Sequence, residues 1–247
     1  MLTEERLSRI SKILEEKHSV TVTQLMEILS TSESTIRRDL NVLDKQGKLI
    51  RVFGGAVSKG ITFQAKDDSV GIRKNQNKCE KLKIAKYAAS LIKANDFVYL
   101  DAGTTTELII DFITEKSAVF VTNGFSLAKK LSRLGFLTYM IGGEVKYPTE
   151  AIVGAEAIES LSKYNFTIGF WGTNGVDIEQ GFSTPDVKEA LIKKASMKRT
   201  AHKYIVCDST KFSELSCVVF SSFDNATVIT TKLDNTTYKD CKNIVEV

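Results

Sequence analysis

The sequence predicts the α/β fold class, with an N-terminal winged helix-turn-helix domain followed by a larger α/β domain that has a mainly parallel sheet. One observation is a capped helical segment at residues 32–40 that carries two adjacent arginines. Another is the alternation of short apolar runs with helical stretches after residue 78, which is typical of βαβ units. The predicted boundaries are 1–57 for the first domain, 58–75 for a polar linker and 76–247 for the second domain.

Length and composition are consistent with two domains. With 247 residues, 43% of them hydrophobic, the chain is long enough to bury the cores of a small and a medium domain. The formal net charge is only +4, and residues 1–60 hold 10 Lys and Arg against 8 Asp and Glu. Gross charge therefore does not identify a nucleic-acid-binding region, so affinity for DNA has to come from a local basic face.

Two helices are predicted before the arginine-bearing segment. Thr3 is placed to cap the first helix, whose apolar residues recur at helical spacing. Thr21 and Gln24 have the spacing of a capping box and start the second helix, and a short turn at Ser30 and Thr31 connects it to the next one. Helix, tight turn and helix in this order predict a helix-turn-helix motif.

The segment at residues 32–40, SESTIRRDL, has the features of a DNA-recognition helix. Ser32 is expected to cap it by accepting a hydrogen bond from a backbone N–H group, which leaves the N-terminal end exposed. Arg37 and Arg38 carry guanidinium groups that bind guanine edges or phosphates, while Ile36 falls on the opposite, core-facing side. An isolated arginine pair is more often a solvated helix face, but the capping, turn length and helix order around this pair favour DNA binding.

A two-stranded wing is predicted after this helix. Gly47 is placed to end the helix, and residues 48–53 alternate toward a Gly-Gly pair, with Arg51 in the first strand. Thr35 fits either a phosphate contact or a small polar residue of the first turn, and Asp39 is expected to orient an arginine. The candidate DNA-binding residues are Ser34, Thr35, Arg37, Arg38 and Arg51.

The second domain is predicted to begin with a long helix from Lys78, after which short β-rich runs alternate with helical stretches. The predicted strands are residues 97–100, 118–121, 137–141, 166–170 and 204–207. The predicted helices between them are residues 105–115, 125–134, 150–161 and 186–200. This spacing indicates right-handed crossover connections and therefore a mainly parallel sheet.

Small and polar residues follow each predicted strand, in the sequences DAGTTT, TNG, GG, GTNG and DSTK. Because the carboxyl-end loops of an open α/β sheet converge on one crevice, these loops predict a ligand site. Glycines let backbone N–H groups approach an anion, hydroxyls and amides add donors, and lysine neutralises phosphate, so the site suits a phosphorylated sugar. The candidate effector-binding residues are Asp101, Gly103, Thr104, Thr105, Thr122, Asn123, Gly142, Gly143, Lys146, Gly172, Thr173, Asn174, Glu189, Lys193, Asp208 and Lys211.

Each loop taken alone is explained by the turn-forming tendency of its residues, and only the recurrence of the pattern favours a ligand. For Lys146 and Lys193, a solvated charge that does not reach the ligand is an equally good interpretation. For Glu189, an ordinary carboxylate in the first turn of a helix is an equally good interpretation. An acid-base pair drawn from Asp101, Glu189, Asp208 and Lys211 would instead make the domain an isomerase-like enzyme for sugar phosphates. Beside a DNA-binding domain, binding without turnover is the simpler account, so the chain is not expected to be an enzyme.

The cysteines Cys79, Cys207, Cys217 and Cys241 lie far apart and lack the paired spacing of a zinc site, so no metal or cofactor is expected. His18 and His202 are expected to be surface or packing residues. The N-terminus lacks a signal-peptide pattern, and no apolar run has the length of a membrane span. The sequence therefore predicts a cytoplasmic protein with free thiols and no membrane partner.

The stretch TSESTIRRDLNVLDKQGKLIRVFGGA, at residues 31–56, resembles the N-terminal signature of the DeoR family of bacterial transcriptional repressors. LDAGTTT, VTN, IGG, GTNG, GFSTPD followed by EA, and DSTKF resemble the blocks of that family's sensor domain, in the family's order. The resemblance covers nearly the whole chain. It implies a winged helix-turn-helix that binds double-stranded operator DNA, and a sensor domain similar in fold to ribose-5-phosphate isomerase that binds a sugar phosphate without turnover.

Two positions depart from the family's pattern, since Phe53 stands where many members have Tyr or His, and Lys146 where Arg is common. The ammonium of Lys146 is a compact charge, whereas the guanidinium of an arginine would bind a phosphate through two parallel hydrogen bonds. Within the family, the opening MLTEER, the SESTIRRDL helix and NFTIGFWGTNG with GFSTPD most resemble the fructose-operon repressors, which implies fructose 1-phosphate as the inducer. Tagatose 6-phosphate, other ketose phosphates and polyol phosphates would use the same hydroxyl-rich loops.

These features together predict a ligand-controlled repressor of a sugar-utilisation operon that acts as a homodimer or homotetramer. Two recognition helices would occupy successive major grooves of the operator, and the sugar phosphate would alter their spacing or mobility. Glu189 is expected to sense the occupied state, because it begins a helix after a loop at residues 181–186 that looks mobile.

Overall fold

The computed structural model describes residues 3–17, 19–52, 55–58, 63–64 and 70–247. The chain divides into two units, Met1–Phe63 and Gln64–Val247. His18, Phe53, the glycine after Phe53 and most of the predicted linker between residues 58 and 70 lie outside the described residues. The domain boundaries at residues 57 and 76 stay predictions.

The first unit is a winged helix-turn-helix, which confirms this part of the predicted fold class. Its helices are α1 (Thr3–Lys17), α2 (Val22–Leu29) and α3 (Glu33–Lys45), and its strands are β1 (Ser19–Thr21), β2 (Leu49–Val52) and β3 (Gly55–Ser58). β2 and β3 pair antiparallel as the wing, and β1 joins β3 as a third strand that the sequence analysis did not predict. Three residues between two helices are too few to show the alternation by which a strand is detected.

The helices α2 and α3 differ in how they begin. The predicted capping box of α2 is confirmed, since Gln24 N donates to Thr21 Oγ1 at 3.1 Å and Thr21 N donates to Gln24 Oε1 at 2.8 Å. The predicted cap of α3 is wrong, because the Ser32 hydroxyl bonds to the hydroxyls of Ser34 (3.1 Å) and Thr35 (2.9 Å) rather than to the backbone. Ser32 contributes its carbonyl instead, which accepts from Thr35 N and from Ile36 N, both at 3.1 Å.

The buried face of α3 holds it against α1. Ile36 and Leu40 are fully buried in a cluster that includes Ile10 of α1. Asp39 lies on the same buried face and forms a two-pronged ion pair with Arg6 of α1, which confirms that Asp39 orients an arginine. The hydrogen bond to Asp39 raises the pKa of the Arg6 guanidinium, so the ion pair stays charged.

The second unit is an α/β structure described without a gap from residue 70 to 247. After β4 (Phe63–Gln64), its strands are β5 (Phe97–Leu100), β6 (Val119–Thr122), β7 (Leu137–Met140), β8 (Glu144–Lys146), β9 (Ala151–Val153), β10 (Phe166–Trp171), β11 (Gly175–Asp177), β12 (Gly181–Thr184), β13 (Thr200–Val206), β14 (Leu215–Ser216), β15 (Val218–Ser221), β16 (Thr227–Thr230) and β17 (Ile244–Glu246). Its helices are α4 (Val70–Asn75), α5 (Lys78–Ser90), α6 (Thr104–Ile109), α7 (Phe125–Arg133), α8 (Ala155–Leu161) and α9 (Val187–Lys198).

A parallel sheet organises this unit, in the order β17-β16-β13-β10-β5-β6-β7. Both of its faces are buried, because Tyr99 of β5 packs into one apolar cluster and its neighbour Val98 into another. From β5 the chain proceeds toward β7 on one side, and from β10 it proceeds toward β17 on the other. The strand order therefore reverses between β5 and β10, which is where open α/β sheets bind ligands.

Two predicted elements need correction. The predicted helix at residues 150–161 begins only at Ala155, because residues 151–153 form β9, which pairs antiparallel with β8. The loop expected at residues 181–186 is largely β12, a buried strand that lies between β11 and β15. Strands β16 and β17 were not predicted. In each case the pairing partner is remote or the strand is short, so local sequence patterns do not reveal it.

Candidate functional sites: a recognition helix and a polar cleft

The exposed face of α3 carries its two arginines. Arg37 forms an ion pair with Glu33 one turn earlier, at 2.6 Å, with about half of each side chain exposed (50% and 54%). Arg38 is also exposed and has no ion-pair partner among the described residues. Ser34 is exposed and Thr35 is half-buried at the start of the helix. The face therefore presents positive charge to solvent, which suits a polyanion.

Arg51 connects the wing to the recognition helix. Its guanidinium donates to Asn41 Oδ1 of α3, and its backbone N–H donates to Asp44 Oδ1 at 3.1 Å. This fixes the position of β2 relative to α3 within the unit. Gly47, in the left-handed region at φ = 66°, makes the turn between them, as the sequence predicted.

In the second unit a polar cleft opens at the carboxyl ends of β5, β10 and β13, where the strand order reverses. Its lining comes from the loops after these strands and from the segment around α4 and α5. The lining residues are Arg73, Gln76, Lys81, Ala102, Gly103, Thr104, Thr105, Gly172, Thr173, Asn174, Glu189, Lys193, Val206, Cys207, Asp208 and Lys211.

Lys193 of α9 lies in the cleft wall as half of a buried ion pair. It is 4% exposed, and its ammonium donates to Asp101 Oδ2 after β5 and to the carbonyl of Gly172 after β10, the latter at 2.9 Å. Burial raises the pKa of the Asp101 carboxyl, and the adjacent ammonium opposes that rise. The pair joins the carboxyl ends of β5 and β10, between which the strand order reverses, because Gly172 N also donates to Asp101 Oδ2 at 3.3 Å.

Lys81 of α5 brings a second cation to the cleft. Its ammonium donates to the Thr104 hydroxyl at 3.3 Å and to the carbonyl of Arg73 at 2.6 Å. Burial lowers the pKa of Lys81; Asp208 raises it in part, and the charges of Lys211 and Arg73 lower it again. An anionic ligand would stabilise an ammonium in this position, because the negative charge of the ligand compensates for the hydration that the ammonium loses on burial.

Asp208 is fixed in place by its neighbours. Its Oδ1 accepts hydrogen bonds from Asn77 Nδ2 at 3.0 Å and from Thr210 N at 3.2 Å, which caps the short 3₁₀ turn that carries Lys211. Glu80 supports the same turn by accepting from Ser209 N at 3.0 Å. Although burial alone raises the pKa of Glu80, the hydrogen bonds from Thr231 and Ser209 lower it overall. The turn thus holds Lys211 at the cleft while its ammonium lacks an ion-pair partner among residues the structure describes.

Glu189 connects the cleft to the β8–β9 hairpin. Its Oε1 accepts from Lys146 Nζ at 2.9 Å and from the Thr149 hydroxyl at 2.6 Å, while its own backbone N–H is capped by Asp186. Lys146 also contacts Asp186 at 3.3 Å. Glu189 therefore touches both the cleft and a hairpin that packs beside β6.

The balance of charge in the cleft favours an anion. Its described lining contains four cationic side chains, Arg73, Lys81, Lys193 and Lys211, against the carboxylates of Glu189 and Asp208. Asp101, just outside the lining, neutralises Lys193, so the cations still outnumber the carboxylates by one. The hydroxyls of Thr104 and Thr105 and the first N–H groups of α6 lie beside them. A phosphate needs this combination of donors and countercharge.

Comparison with known families decides the identity of the chain. The family described as "DeoR C terminal sensor domain" matches residues 76–232, and the family described as "DeoR-like helix-turn-helix domain" matches residues 6–62. The chain belongs to the DeoR family. It is thus a DNA-binding transcription regulator of the DeoR type, and the resemblance seen in the sequence is confirmed.

Individual relatives of this DeoR-family chain include an "Uncharacterized HTH-type transcriptional regulator FruR" of Bacillus subtilis, 41% identical over 100% of this chain and 99% of that one. A "Lactose phosphotransferase system repressor" of Staphylococcus aureus is 32% identical over 91% of this chain and 90% of that one. Among solved structures, the sorbitol operon regulator SorC of Klebsiella pneumoniae is similar with a TM-score of 0.44, at 11% identity over 92% of this chain and 95% of that one. The ribose 5-phosphate isomerase of Plasmodium falciparum has a TM-score of 0.40, at 16% identity over 53% of this chain and 52% of that one.

The predicted effector residues divide into two groups in the DeoR-family sensor unit. Those that line the cleft are Gly103, Thr104, Thr105, Gly172, Thr173, Asn174, Glu189, Lys193, Asp208 and Lys211. Those outside its described lining are Asp101, Thr122, Asn123, Gly142, Gly143 and Lys146. Except for Asp101, which follows β5, the sheet order explains the division, since β6 and β7 lie beyond β5 on the side away from β10. Ligand contact stays a prediction for every one of these residues.

Three of the residues outside the lining have structural roles in the loops. Asn123 Oδ1 accepts from Ala102 N at 2.8 Å and from the Tyr99 hydroxyl at 3.1 Å, so it shapes the loop after β5. The Thr122 hydroxyl accepts from the next loop's backbone at 2.9 Å. Gly143 has φ = 146°, and a Cβ there would lie 2.7 Å from the carbonyl oxygen of Val153, so close backbone packing requires the glycine.

Sequence reasoning missed the contribution of Arg73, Gln76 and Lys81 to the cleft. It assigned Arg73 to the linker at residues 58–75, and it gave Gln76 and the helix from Lys78 no role at the ligand site. A signal for Lys81 existed. Lys81 falls at helical spacing with Ile84, Ala85 and Ala88, on the buried face of α5. A lysine on the apolar face of a helix indicates that it has a partner or a ligand.

Two absences concern only the part of the chain that the structure describes. None of the described helices is long and apolar enough to cross a membrane. No cluster of three or more His, Cys, Asp or Glu side chains suited to a metal ion occurs among the described residues.

Proposed function

We propose that this DeoR-family protein is a repressor of a sugar-utilisation operon that releases its operator when a sugar phosphate binds the cleft. The observation that carries the proposal is the set of cations around Thr104 and Thr105, because it offers a phosphate both countercharge and hydrogen-bond donors. The names of the relatives support it, since one is a FruR-type regulator and another a lactose phosphotransferase system repressor.

The phosphate and the sugar of the ligand would contact different residues. The phosphate would bind the Thr104 and Thr105 hydroxyls, Lys81 and Lys211, and the sugar hydroxyls would meet Asn174 and other polar groups along the loop after β10. Lys193, already paired with Asp101, would position that loop through Gly172. Glu189 would respond to a ligand in the cleft, because any displacement of its carboxylate also disturbs its hydrogen bonds with Lys146 and Thr149.

The effector is proposed to be fructose 1-phosphate, on the strength of the resemblance to fructose-operon repressors and the 41% identity to the FruR-type regulator. Other ketose phosphates are the alternatives. The protein would act in the cytoplasm as a homodimer or homotetramer, with two copies of α3 in successive major grooves of double-stranded DNA. Ser34, Thr35, Arg37, Arg38 and Arg51 would form the DNA-binding face.

The ion pairing of Asp101 and the protonation of Cys207 favour binding without catalysis. An isomerase needs a carboxylate that is free to move a proton at the sugar. Asp101 is instead held in an ion pair with Lys193, outside the described lining. Cys207 lies in the cleft wall, but burial raises the pKa of its thiol, so it stays protonated rather than becoming a nucleophilic thiolate.

The proposal is tested by anisotropy of a labelled promoter fragment during titration with fructose 1-phosphate and a panel of other sugar phosphates. A hundredfold weakening of DNA binding corresponds to about 2.7 kcal/mol of coupling, which lies within the usual range for allosteric proteins. Lys211→Ala should keep the DNA affinity but lose the response. Lys232→Ala, at an exposed lysine outside the cleft lining, is the matched control and should respond normally.

Two results would contradict the proposal. One is a DNA complex that none of the sugar phosphates changes. The other is sustained isomerisation of a sugar phosphate by the purified protein that Lys211→Ala abolishes, which would favour the enzyme alternative.

A further inference from the structure

One edge of the parallel sheet is unusually apolar. Among the strands that the structure describes, β7 is the last on its side and pairs with β6 alone. In residues 134–147, here called the edge segment, six large hydrophobic side chains are exposed: Leu134, Leu137, Tyr139, Met140, Val145 and Tyr147. The last of them is 90% exposed. Exposed apolar side chains are normal singly, but a cluster on one short segment marks an interaction surface.

The edge segment also lacks free charge. Its charged residues are Glu144 and Lys146. Glu144 pairs with Lys188 of α9 at 2.5 Å, and Lys146 pairs with Glu189 at 2.9 Å. A surface that is apolar and internally neutralised resembles the centre of a protein interface, where unpaired charges are depleted.

The backbone of β7 is exposed to pairing as well. Ile141 N donates to Thr122 O at 3.1 Å, so the N–H groups that alternate with it, at Thr138 and Met140, face away from β6. Natural proteins protect open edges with charges, proline or covering segments. Strand β7, with the sequence LTYM, has neither charge nor proline.

The opposite edge of the sheet is protected. Strand β17 contains Glu246, whose carboxylate accepts from Leu233 N at 3.0 Å and thereby draws a loop toward that edge. The contrast shows that the open state of β7 is not a general feature of this sheet.

We infer that the edge segment is the surface through which two copies of this chain associate, with β7 of one copy antiparallel to β7 of the other across a two-fold axis. A two-fold axis brings a strand against itself, so an apolar, charge-free strand is complementary to its own copy. Six large side chains of about 200 Å² each, roughly half exposed, offer on the order of 600 Å² per copy before the backbone is counted, close to the ~800 Å² of a standard interface.

A second copy fits better than another partner. The surface offers no unpaired charge within residues 134–147 for an acidic or basic protein to recognise, whereas its backbone donors and acceptors match those of an identical strand. The edge segment also includes Lys146, which contacts Glu189 in the cleft wall, so association and ligand binding share one segment.

Sedimentation velocity of the full-length protein over a dilution series tests the inference. The wild type should be dimeric or of higher order, and Tyr139→Lys should raise the dissociation constant by at least about thirtyfold, the effect of losing a central interface residue. Thr138→Pro should also weaken association, because it removes an N–H group that faces away from β6 and would bond to the second copy. The pairing of β6 with β7 does not use that N–H group and is therefore kept. Ile178→Lys is the matched control, since Ile178 is 39% exposed and Tyr139 44%, and it should leave the oligomer intact.

Hydrogen–deuterium exchange of the wild type tests the inference without relying on variants that fold. The amides of Thr138 and Met140 should exchange faster on dilution, while Glu246 at the opposite edge should show no dependence on concentration. A wild type that stays monomeric, an oligomer that survives both edge variants, or amides at 138 and 140 that ignore concentration would each overturn the inference. The inference rests on the homodimer or homotetramer of the proposed function, and a monomeric wild type would contradict both. Loss of the effect of the edge variants would overturn the inference alone, since release of DNA by sugar phosphates is measured separately.

Discussion

The recognition helix and the cleft both rely on arginine and lysine, but they hold these side chains in opposite environments. Arg37 and Arg38 are exposed on one turn of α3, whereas Lys193 is 4% exposed and is paired with Asp101, 92 residues away in sequence. An exposed cation needs no partner and is free to meet an extended polyanion. A buried cation requires a countercharge, so it responds strongly to a small anion that enters the same site.

The largest expected effect comes from breaking the buried pair of the cleft. Lys193→Met would leave the Asp101 carboxylate buried without its partner, which costs about 3–5 kcal/mol of unfolding free energy. Urea denaturation measures this loss. The exposed neighbour Lys194 provides the control, and Lys194→Met should change the unfolding free energy by less than ~0.5 kcal/mol. Asp101→Asn combined with Lys193→Met should recover most of the loss; failure to recover it would show that packing rather than charge is responsible.

The next largest effect concerns the exposed arginine. Arg38→Ala should weaken operator binding by about 1–3 kcal/mol and leave both unfolding and sugar-phosphate binding unchanged, because Arg38 has no ion-pair partner among the described residues. Anisotropy at several salt concentrations should also show a shallower salt dependence if Arg38 binds a phosphate. Arg9→Ala, at an exposed arginine of α1, is the control, and an equal loss there would mean that only general charge matters.

A pH profile distinguishes the buried Lys81 from exposed cations. Because its pKa in the folded protein is lowered, sugar-phosphate affinity should fall as pH rises through that lowered value, before ordinary lysines titrate. Between the lowered value and the ordinary one the unfolded chain binds more protons, so Lys81 should make stability rise with pH in that window. Calorimetric titrations from neutral to alkaline pH measure the affinity. Lys81→Arg should flatten the profile, since a guanidinium stays charged; a profile identical to the wild type would exclude Lys81 as its source.

The smallest effect should come from the ion pair on α3. Glu33→Gln would release Arg37 and remove a negative charge from the DNA-facing side, so operator affinity should rise by a few tenths of a kcal/mol up to about 1 kcal/mol. Anisotropy at low salt gives the best sensitivity, because salt screens exposed pairs. Glu27→Gln on α2 is a suitable control; weaker binding by Glu33→Gln would indicate that Glu33 orients Arg37 for DNA.

The sequence predicted the first unit almost completely because its signals are local. Thr21 with Gln24, the apolar spacing of α3 and the turn at Gly47 all involve residues within one or two helical turns of each other. The exception is the Ser32 cap. Its hydroxyl had two nearby hydroxyl partners that compete with the backbone, and spacing alone does not rank such alternatives.

The cleft was predicted in part. The polar loops after strands indicated the correct end of the sheet, yet the loops after β6 and β7 have the same composition and do not line the cleft. Composition does not reveal strand order, which depends on contacts between residues far apart in sequence. Lys81 was missed for the same reason, because only the packing of α5 against the sheet brings it to Thr104.

By itself the sequence determined the fold class, the DNA-facing helix and the family, since each depends on periodicity, capping and motifs that are read along the chain. Only the tertiary structure decided which polar loops meet, which lysine pairs with Asp101, and that β7 is an uncovered edge. The physical reason is that burial and pairing are relations between distant segments. Charge and hydrogen-bonding groups obtain their partners only when the chain has folded.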